Sequence, residues 1–214
     1  MCIRDSYHSS RFGSGEEWAG KRCVVLGSNT SAHDICADLW EHGADVTMIQ
    51  RSTTTVIKSE TLMQLAIGQL YSEEALAAGI TTERADLLDA SMPFALKHIG
   101  GQELTRTIKE RDADFYERLT AAGFTLDFGE DESGLGMKAV RNGGGFYIDV
   151  GASDLISSGE IKLRSGVGIE RIKEEGVILT DGSELAADLI IYATGYGAAN
   201  QGIANLISQE AADK

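Results

Sequence analysis

Cys23-Val24-Val25-Leu26-Gly27-Ser28-Asn29-Thr30-Ser31-Ala32-His33-Asp34-Ile35, followed by Asp45-Val46-Thr47-Met48-Ile49-Gln50, reads as strand, tight turn, helix and parallel return strand. The aliphatic, β-branched run before Gly27 lacks polar alternation, the pattern of a strand buried on both faces of a parallel sheet. From Ser31 to His42 the apolar residues Ile35, Leu39 and Trp40 fall at helical spacing, and Gly43 stands where the helix stops. Such a turn leaves bare N–H groups at the positive end of a helix, which is what a phosphate needs. The stretch reads as the phosphate-cradling half of a dinucleotide site and predicts an α/β fold with a Rossmann-like parallel sheet.

The glycine fingerprint is altered. Gly27 supplies the first glycine of G-x-G-x-x-G, Asn29 takes the second position and Ala32 the third. The Ala32 methyl restrains helix-to-strand approach only slightly. Asn29 tolerates left-handed backbone better than most residues and can itself hydrogen-bond a phosphate. An NAD site usually places an acid at the tip of the return strand, but here the tip is Gln50-Arg51-Ser52. The fork of donors on Arg51 and the Ser52 hydroxyl suit a 2′-phosphate and point to NADP(H). A solvated surface arginine is the alternative. The candidate cofactor-binding residues in this half are Gly27, Ser28, Asn29, Thr30, Ser31, Ala32, Arg51 and Ser52.

Composition narrows the partners. The 214 residues are 43% apolar and 24% charged, and 33 acidic against 19 basic residues give a formal charge of -14. That field repels nucleic acid and anionic membrane surfaces, so neither is expected as a partner, and a nucleotide phosphate must be held by local groups. Cys2, Cys23 and Cys36 lack the spacing of a zinc site or a disulfide framework, so no metal is expected and a cytoplasmic location is the default. No run of 18 apolar residues suggests a membrane span.

Residues 59 to 145 read as a helical and glycine-rich insertion. Leu62, Ala66 and Leu70 mark one helical face, and Leu104, Ile108, Phe115 and Leu119 another; Pro93 lies between them and Gly123 stops the second. Phe124–Phe128 alternates like a strand, and Gly134/Gly136 and Gly143–Gly145 are expected to flank a loop before a strand at Phe146–Val150. Ile161–Leu163, Ile169–Ile172 and Val177–Leu179 read as further strands, with Asp181-Gly182 as a hairpin turn. Asp188–Tyr196 is a buried strand entering a small-residue turn. The histidines His33, His42 and His98 are scattered, and Cys23 and Cys36 read as small core residues. Asp34 either orients the turn or sits in the first helical turn as a dipole partner.

Three pieces taken together, His8-Ser9-Ser10-Arg11-Phe12, the Gly27–Ile35 turn and Ala193-Thr194-Gly195-Tyr196, resemble the flavin-containing monooxygenases, the class B flavoprotein monooxygenases. In that family a His-Ser stretch leads into a second, NADPH-binding turn, here matched by Ser31, Asp34 and Ile35, and an ATGY stretch later returns the chain to the flavin domain. The resemblance covers about residues 7 to 205. It implies that NADPH reduces FAD and that a peroxyflavin formed with dioxygen oxygenates a small organic substrate. It adds Ala193, Thr194 and Gly195 to the cofactor site and places His8, Ser9 and Tyr196 at the two crossings between nucleotide domains.

No FAD-type glycine turn precedes Gly27, so the chain is expected to be the central part of a longer flavoprotein. Residues 1–6 then read as a non-native remnant, 7–20 as a lead-in, 21–195 as the NADP-binding domain and 196–214 as the start of the return. FAD would be held mainly by a missing domain, leaving this chain without turnover, and no catalytic residue is identified. Two alternatives remain: a pyridine-nucleotide-disulfide reductase, which needs a redox cysteine pair, and a non-catalytic NADP-sensing domain.

Overall fold

Val24 and Val25 face opposite sides of one strand and both are wholly buried, so the sheet around them must be covered on both faces. The computed structural model describes residues 6–197 and 199–213. Its strands are β1 (Ser6–His8), β2 (Arg22–Leu26), β3 (Asp45–Gln50), β4 (Thr55–Lys58), β5 (Phe146–Asp149), β6 (Lys162–Ser165), β7 (Ile169–Lys173), β8 (Gly176–Leu179), β9 (Glu184–Ala186) and β10 (Leu189–Tyr192). The helices are α1 (Thr30–Glu41), α2 (Ser59–Leu65), α3 (Glu73–Ala77), α4 (Thr82–Ser91), α5 (Phe94–Arg111), α6 (Ala113–Ala121), α7 (Gly134–Asn142), α8 (Ala152–Ser158), α9 (Ala199–Leu206) and α10 (Gln209–Ala212).

The central sheet runs β1-β10-β2-β3-β6 with every pair parallel, the expected Rossmann-like core. One face packs Cys23, Val25, Leu189 and Ile191 against Ile35, Cys36 and Leu39 of α1. The other packs Val24, Ile49 and Ile190 against Val177 and Leu179 of β8. A three-stranded antiparallel meander, β7-β8-β9, therefore covers the side where a helix would otherwise lie. Ser6, placed by the sequence in a remnant, starts β1 and pairs with Ile190; residues 1–5 lie outside the described residues.

The 59–145 segment is pinched at its base, because β4 and β5 pair in parallel as a separate two-stranded sheet. Within it the structure departs from the sequence reading in four places, the first being that the Leu104/Ile108/Phe115/Leu119 face is divided at Asp112 between α5 and α6. The Leu62/Ala66/Leu70 face is not one helix: α2 ends at Leu65 and a 3-10 turn follows. Phe124–Phe128 forms no strand, only an isolated bridge between Thr54 and Leu126. The buried Gln50 carboxamide accepts from the Thr125 N–H at 2.8 Å and donates to the Thr125 carbonyl at 2.9 Å, so a side chain rather than a second strand engages the Thr125 backbone there, and backbone pairing is confined to Thr54. Gly134 and Gly136 lie in helix α7 rather than beside a loop. Gly134 is there for contact: a Cβ on it would stand 2.2 Å from Thr105 Oγ1 on α5.

Elsewhere the elements follow their local signals. Gly43 (φ +83°) ends α1, Gly123 (φ +90°) follows α6, and Pro93 caps the start of α5. Asp181-Gly182 turns β8 into β9, with Asp181 Oδ1 accepting from the Ser183 N–H at 2.9 Å.

Candidate functional site

The carboxyl ends of β2, β3 and β10 open onto a cavity of about 300 Å³ lined by Leu26, Gly27, Ser28, Asn29, Arg51, Ser52, Thr53, Gly145, Gly168, Ile169, Thr180, Ala193 and Thr194. Open α/β sheets bind ligands at this end. The cavity gathers seven of the residues singled out from sequence: Gly27, Ser28, Asn29, Arg51, Ser52, Ala193 and Thr194.

Gly27 has a structural reason of its own. Its backbone is at φ +133°, and a Cβ would meet the Ala193 carbonyl oxygen at 2.3 Å. The first glycine thus lets the ends of β2 and β10 approach each other, whatever binds above them. Asn29 departs from expectation: its φ of -98° and ψ of -171° are extended rather than left-handed, so this position asks for no glycine. Asn29 is the N-cap of α1 but makes no side-chain cap bond. Its carbonyl accepts from the Ala32 and His33 N–H groups at 3.0 and 3.1 Å. The Thr30 and Ser31 N–H groups, at the head of the helix, have no intrahelical acceptor. That uncapped end carries the positive end of the helix dipole.

The remaining turn residues divide by task. Ser28 is buried and shares a 2.8 Å hydrogen bond with Thr54 Oγ1. Thr30 and Ser31 are exposed outside the cavity lining, and the Thr30 hydroxyl donates to the Phe146 carbonyl at 3.2 Å. Ala32, wholly buried, packs in the core beneath the helix. Asp34 lies beyond the first turn of α1, which contains no acid, so the dipole role does not hold.

Arg51 is exposed and forms no hydrogen bond or ion pair with any described residue. Its stem runs beside Gly168, where a Cβ would stand 3.9 Å from Arg51 Cδ. Gly168 is fixed in turn by Thr180, which accepts its N–H on Oγ1 at 3.1 Å and returns a backbone bond at 2.9 Å. The guanidinium is therefore exposed beside the cavity without a protein counter-charge.

His8, Ser9, Gly195 and Tyr196 lie outside the cavity lining. They form a clasp where β1 and β10 end side by side. His8 Nδ1 accepts from the Ser10 N–H at 3.2 Å, which leaves the proton on Nε2, and Nε2 donates to the Gly195 carbonyl at 2.9 Å. The Tyr196 ring, itself exposed, lies 5.3 Å from the His8 ring. Both crossings expected from sequence are thereby tied together by one histidine.

Thr54, Gly145, Gly168, Thr180 and the pair Asp127–Lys138 also stand at or behind the cavity, and sequence reasoning does not single them out as site residues. Lys138 Nζ lies 2.6 Å from both Asp127 oxygens and packs under Gly145, leaving no room for a Cβ there. Burial alone would raise the Asp127 carboxyl; hydrogen bonds from Lys138, Thr53 and Gly129 outweigh it and hold the group below its usual range. This pair braces the glycine wall of the cavity. Behind the turn, His33 is wholly buried and stacked on Tyr147 at 3.9 Å, and burial lowers its pKa to about 4.

A parallel sheet with a glycine turn, an uncapped helix end and a free arginine at its carboxyl edge defines a Rossmann-type dinucleotide-binding unit. Comparison with known proteins narrows the class. No protein-family model matches the chain. It is 31% identical over 197 residues to indole-3-pyruvate monooxygenase YUCCA8 of Oryza sativa subsp. indica, covering 90% of this chain and 39% of that protein. It is also 31% identical over 196 residues to indole-3-pyruvate monooxygenase YUCCA1 of Oryza sativa subsp. japonica, covering 88% and 40%. The chain is thus similar to these indole-3-pyruvate monooxygenases and spans about two fifths of the length of the curated relatives it matches. Among solved structures, ε-caprolactone-bound cyclohexanone monooxygenase superposes with a TM-score of 0.56 at 15% identity over 92% of this chain and 44% of that one. An NADP+-bound cyclohexanone monooxygenase mutant from Rhodococcus sp. Phi1 gives 0.55 at 13% over 92% and 43%. The fold is accordingly shared with part of these two solved structures.

Proposed function

We propose that this chain is the NADPH-binding part of an FAD-dependent monooxygenase. The observation that carries the reading is Arg51, an exposed, unpaired arginine lining the Gly27 cavity. A 2′-phosphate supplies the counter-charge that the protein withholds. The pyrophosphate would lie against the uncapped start of α1, with Gly27, Ser28, Asn29 and Thr194 around it. NADPH supplies a hydride and FAD the oxygen chemistry when bound. The residues of this chain bind the nucleotide, fix its height above the sheet and shield it from water on the Gly145 and Gly168 walls.

FAD is held mainly outside the residues described here, in keeping with a chain that spans two fifths of its relatives. We take 21–195 as the NADP domain, 59–145 as its insertion, and the His8–Gly195 clasp as the hinge at which two nucleotide domains meet. The substrate is a small organic molecule oxidised with dioxygen. No helix among the described residues is long and apolar enough to cross a membrane, and we place the protein in the cytoplasm. Cys23 and Cys36 are buried in the core, with burial pushing the Cys23 thiol up to about 12, so neither suits thiol–disulfide exchange.

Titration of the chain with NADPH and NADH tests the reading. NADPH is expected to bind weakly but in preference to NADH, with the preference lost in Arg51→Ala. Equal affinities in the unsubstituted chain would sink the NADP assignment. For the longer protein, absence of flavin bleaching on mixing with NADPH would favour a sensor over an enzyme.

A further inference from the structure

We propose that the Asn29 carboxamide is a phosphate-contacting donor that takes over from the missing second glycine, and that Thr54 is the positioning residue that aims it. The inference rests on the nucleotide-site reading above and deepens it. In a G-x-G turn the second glycine allows bare backbone to touch the pyrophosphate, and a side chain there would ordinarily stand in the way. Here Asn29 lines the cavity, and its extended backbone carries no strain that a glycine would relieve.

The orientation of the carboxamide follows from donor accounting. A threonine hydroxyl has one proton to give. A Thr54 proton directed to Asn29 Oδ1, 3.4 Å away, leaves Ser28 as the donor of the shorter 2.8 Å bond between the two hydroxyls. Ser28 and Thr54 are both buried, and Thr54 is held by its backbone as well. Its N–H donates to the Thr125 carbonyl at 3.2 Å, and its carbonyl accepts from the Asp127 N–H at 3.3 Å. With Oδ1 occupied from below, the two Nδ2 protons are left without a partner among the described residues. Asn29 thus offers a neutral donor pair beside the first turn of α1, where the helix field already favours an anion. The phosphate then sits one side chain further from the backbone than at a glycine turn.

The proposal separates sharply from the alternative that Asn29 is merely tolerated, because restoring glycine has opposite effects in the two cases. The 214-residue chain is titrated with NADPH by ligand-observed NMR, with inorganic pyrophosphate as competitor. Asn29→Gly is expected to weaken NADPH about threefold to tenfold, the range of one hydrogen bond, and to weaken pyrophosphate in parallel. Thr54→Val should weaken NADPH to a similar degree and Thr54→Ser should restore it. In an Asn29→Gly background Thr54→Val should add nothing, a coupling that a purely structural threonine would not produce. Unchanged or tighter NADPH binding by Asn29→Gly overturns the proposal while leaving the site reading intact. Absence of saturable NADPH binding by the unsubstituted chain overturns the site reading and the proposal with it. Should Thr54→Val fail to fold, Asn29→Gly at its exposed position still decides.

Discussion

The two ends of the central sheet differ in a way that volume alone would misjudge. At the amino ends of the strands lies a cavity of about 720 Å³, lined by Arg22, Asp45, Lys162 and Glu184 among others, against about 300 Å³ at the carboxyl ends. Most of the charges in the larger space are paired within the protein; Arg164, which also lines it, makes no hydrogen bond or ion pair among the described residues and lies only in the field of Asp181. Arg22 pairs with Asp188 at 2.7 Å, Lys162 with Asp45 at 2.6 Å and Glu184 with Lys173 at 2.5 Å. The smaller one holds Arg51 with no partner and a helix start with no cap. The exposed donors that the protein leaves unpaired at the carboxyl end are hydrated in the free chain and open to an anionic ligand, which suits them better than the paired charges at the other end.

The contrast breaks most severely at Gly27. Gly27→Ala must place a methyl 2.3 Å from the Ala193 carbonyl oxygen at φ +133°, a conformation closed to alanine. The ends of β2 and β10 would have to part. A loss of more than about 3 kcal/mol in denaturant unfolding is expected, together with loss of nucleotide binding. A stable variant that still bound would show that the close approach of the two strands is dispensable.

His33 gives the carboxyl end a pH dependence. Its pKa falls from 6.5 to about 4 in the folded chain because burial excludes the cation, although the Asn29 carbonyl and Asp149 favour it. Below pH 6.5 the unfolded chain binds a proton that folded His33 refuses. Stability is therefore full above that pH and declines as the pH falls toward 4, by up to about 3 kcal/mol at about 1.4 kcal/mol per unit. Unfolding curves at pH 7 and 4.5 should show this slope, and His33→Phe should flatten it relative to the unsubstituted chain. Identical slopes would mean that His33 is not held neutral behind the turn.

Arg51→Ala tests the free charge itself. NADPH should bind about tenfold more weakly, the size of one charge-assisted contact, while NADH is unchanged and the fold is unaffected. An equal loss for both nucleotides would place Arg51 near a shared part of the ligand.

How much of this could be read from sequence depends on the range of the interaction. Strands β2, β3 and β10 and helix α1 are legible because burial on both faces and a 3.6-residue period are local patterns. Gly27, Arg51 and Ala193 meet at one cavity for the same reason, each ending a readable strand. The Phe124–Phe128 error arose because alternation is also local, whereas the Thr125 backbone is engaged by a side chain 75 residues away, Gln50, and pairs with other backbone only at Thr54. Gly134 misled similarly: its φ of +75° and its contact with Thr105 belong to packing on α5, and no turn signal distinguishes them from a loop. Thr54 left only a faint trace in the run Ser52-Thr53-Thr54-Thr55, and its bonds to Ser28 and Asn29 span 26 and 25 residues. The meander wall at Gly168 and Thr180 had no signal, since a hairpin reveals its own turn but not the surface it will cover.

The smallest expected effect is the most useful control on the opposite end. Lys162 and Asp45 are about half exposed, and such pairs contribute less than about 1 kcal/mol because water screens both charges and two side chains must be ordered. Lys162→Ala should therefore shift unfolding only slightly, with the shift disappearing at high salt. It should leave NADPH affinity where it was, since the lost charge lies at the amino edge of β6 and Arg51 follows the carboxyl edge of β3, one strand over. A drop in NADPH affinity comparable to that of Arg51→Ala would mean that the larger cavity takes part in binding. The division between a mostly paired end and an open end of the sheet would then fail.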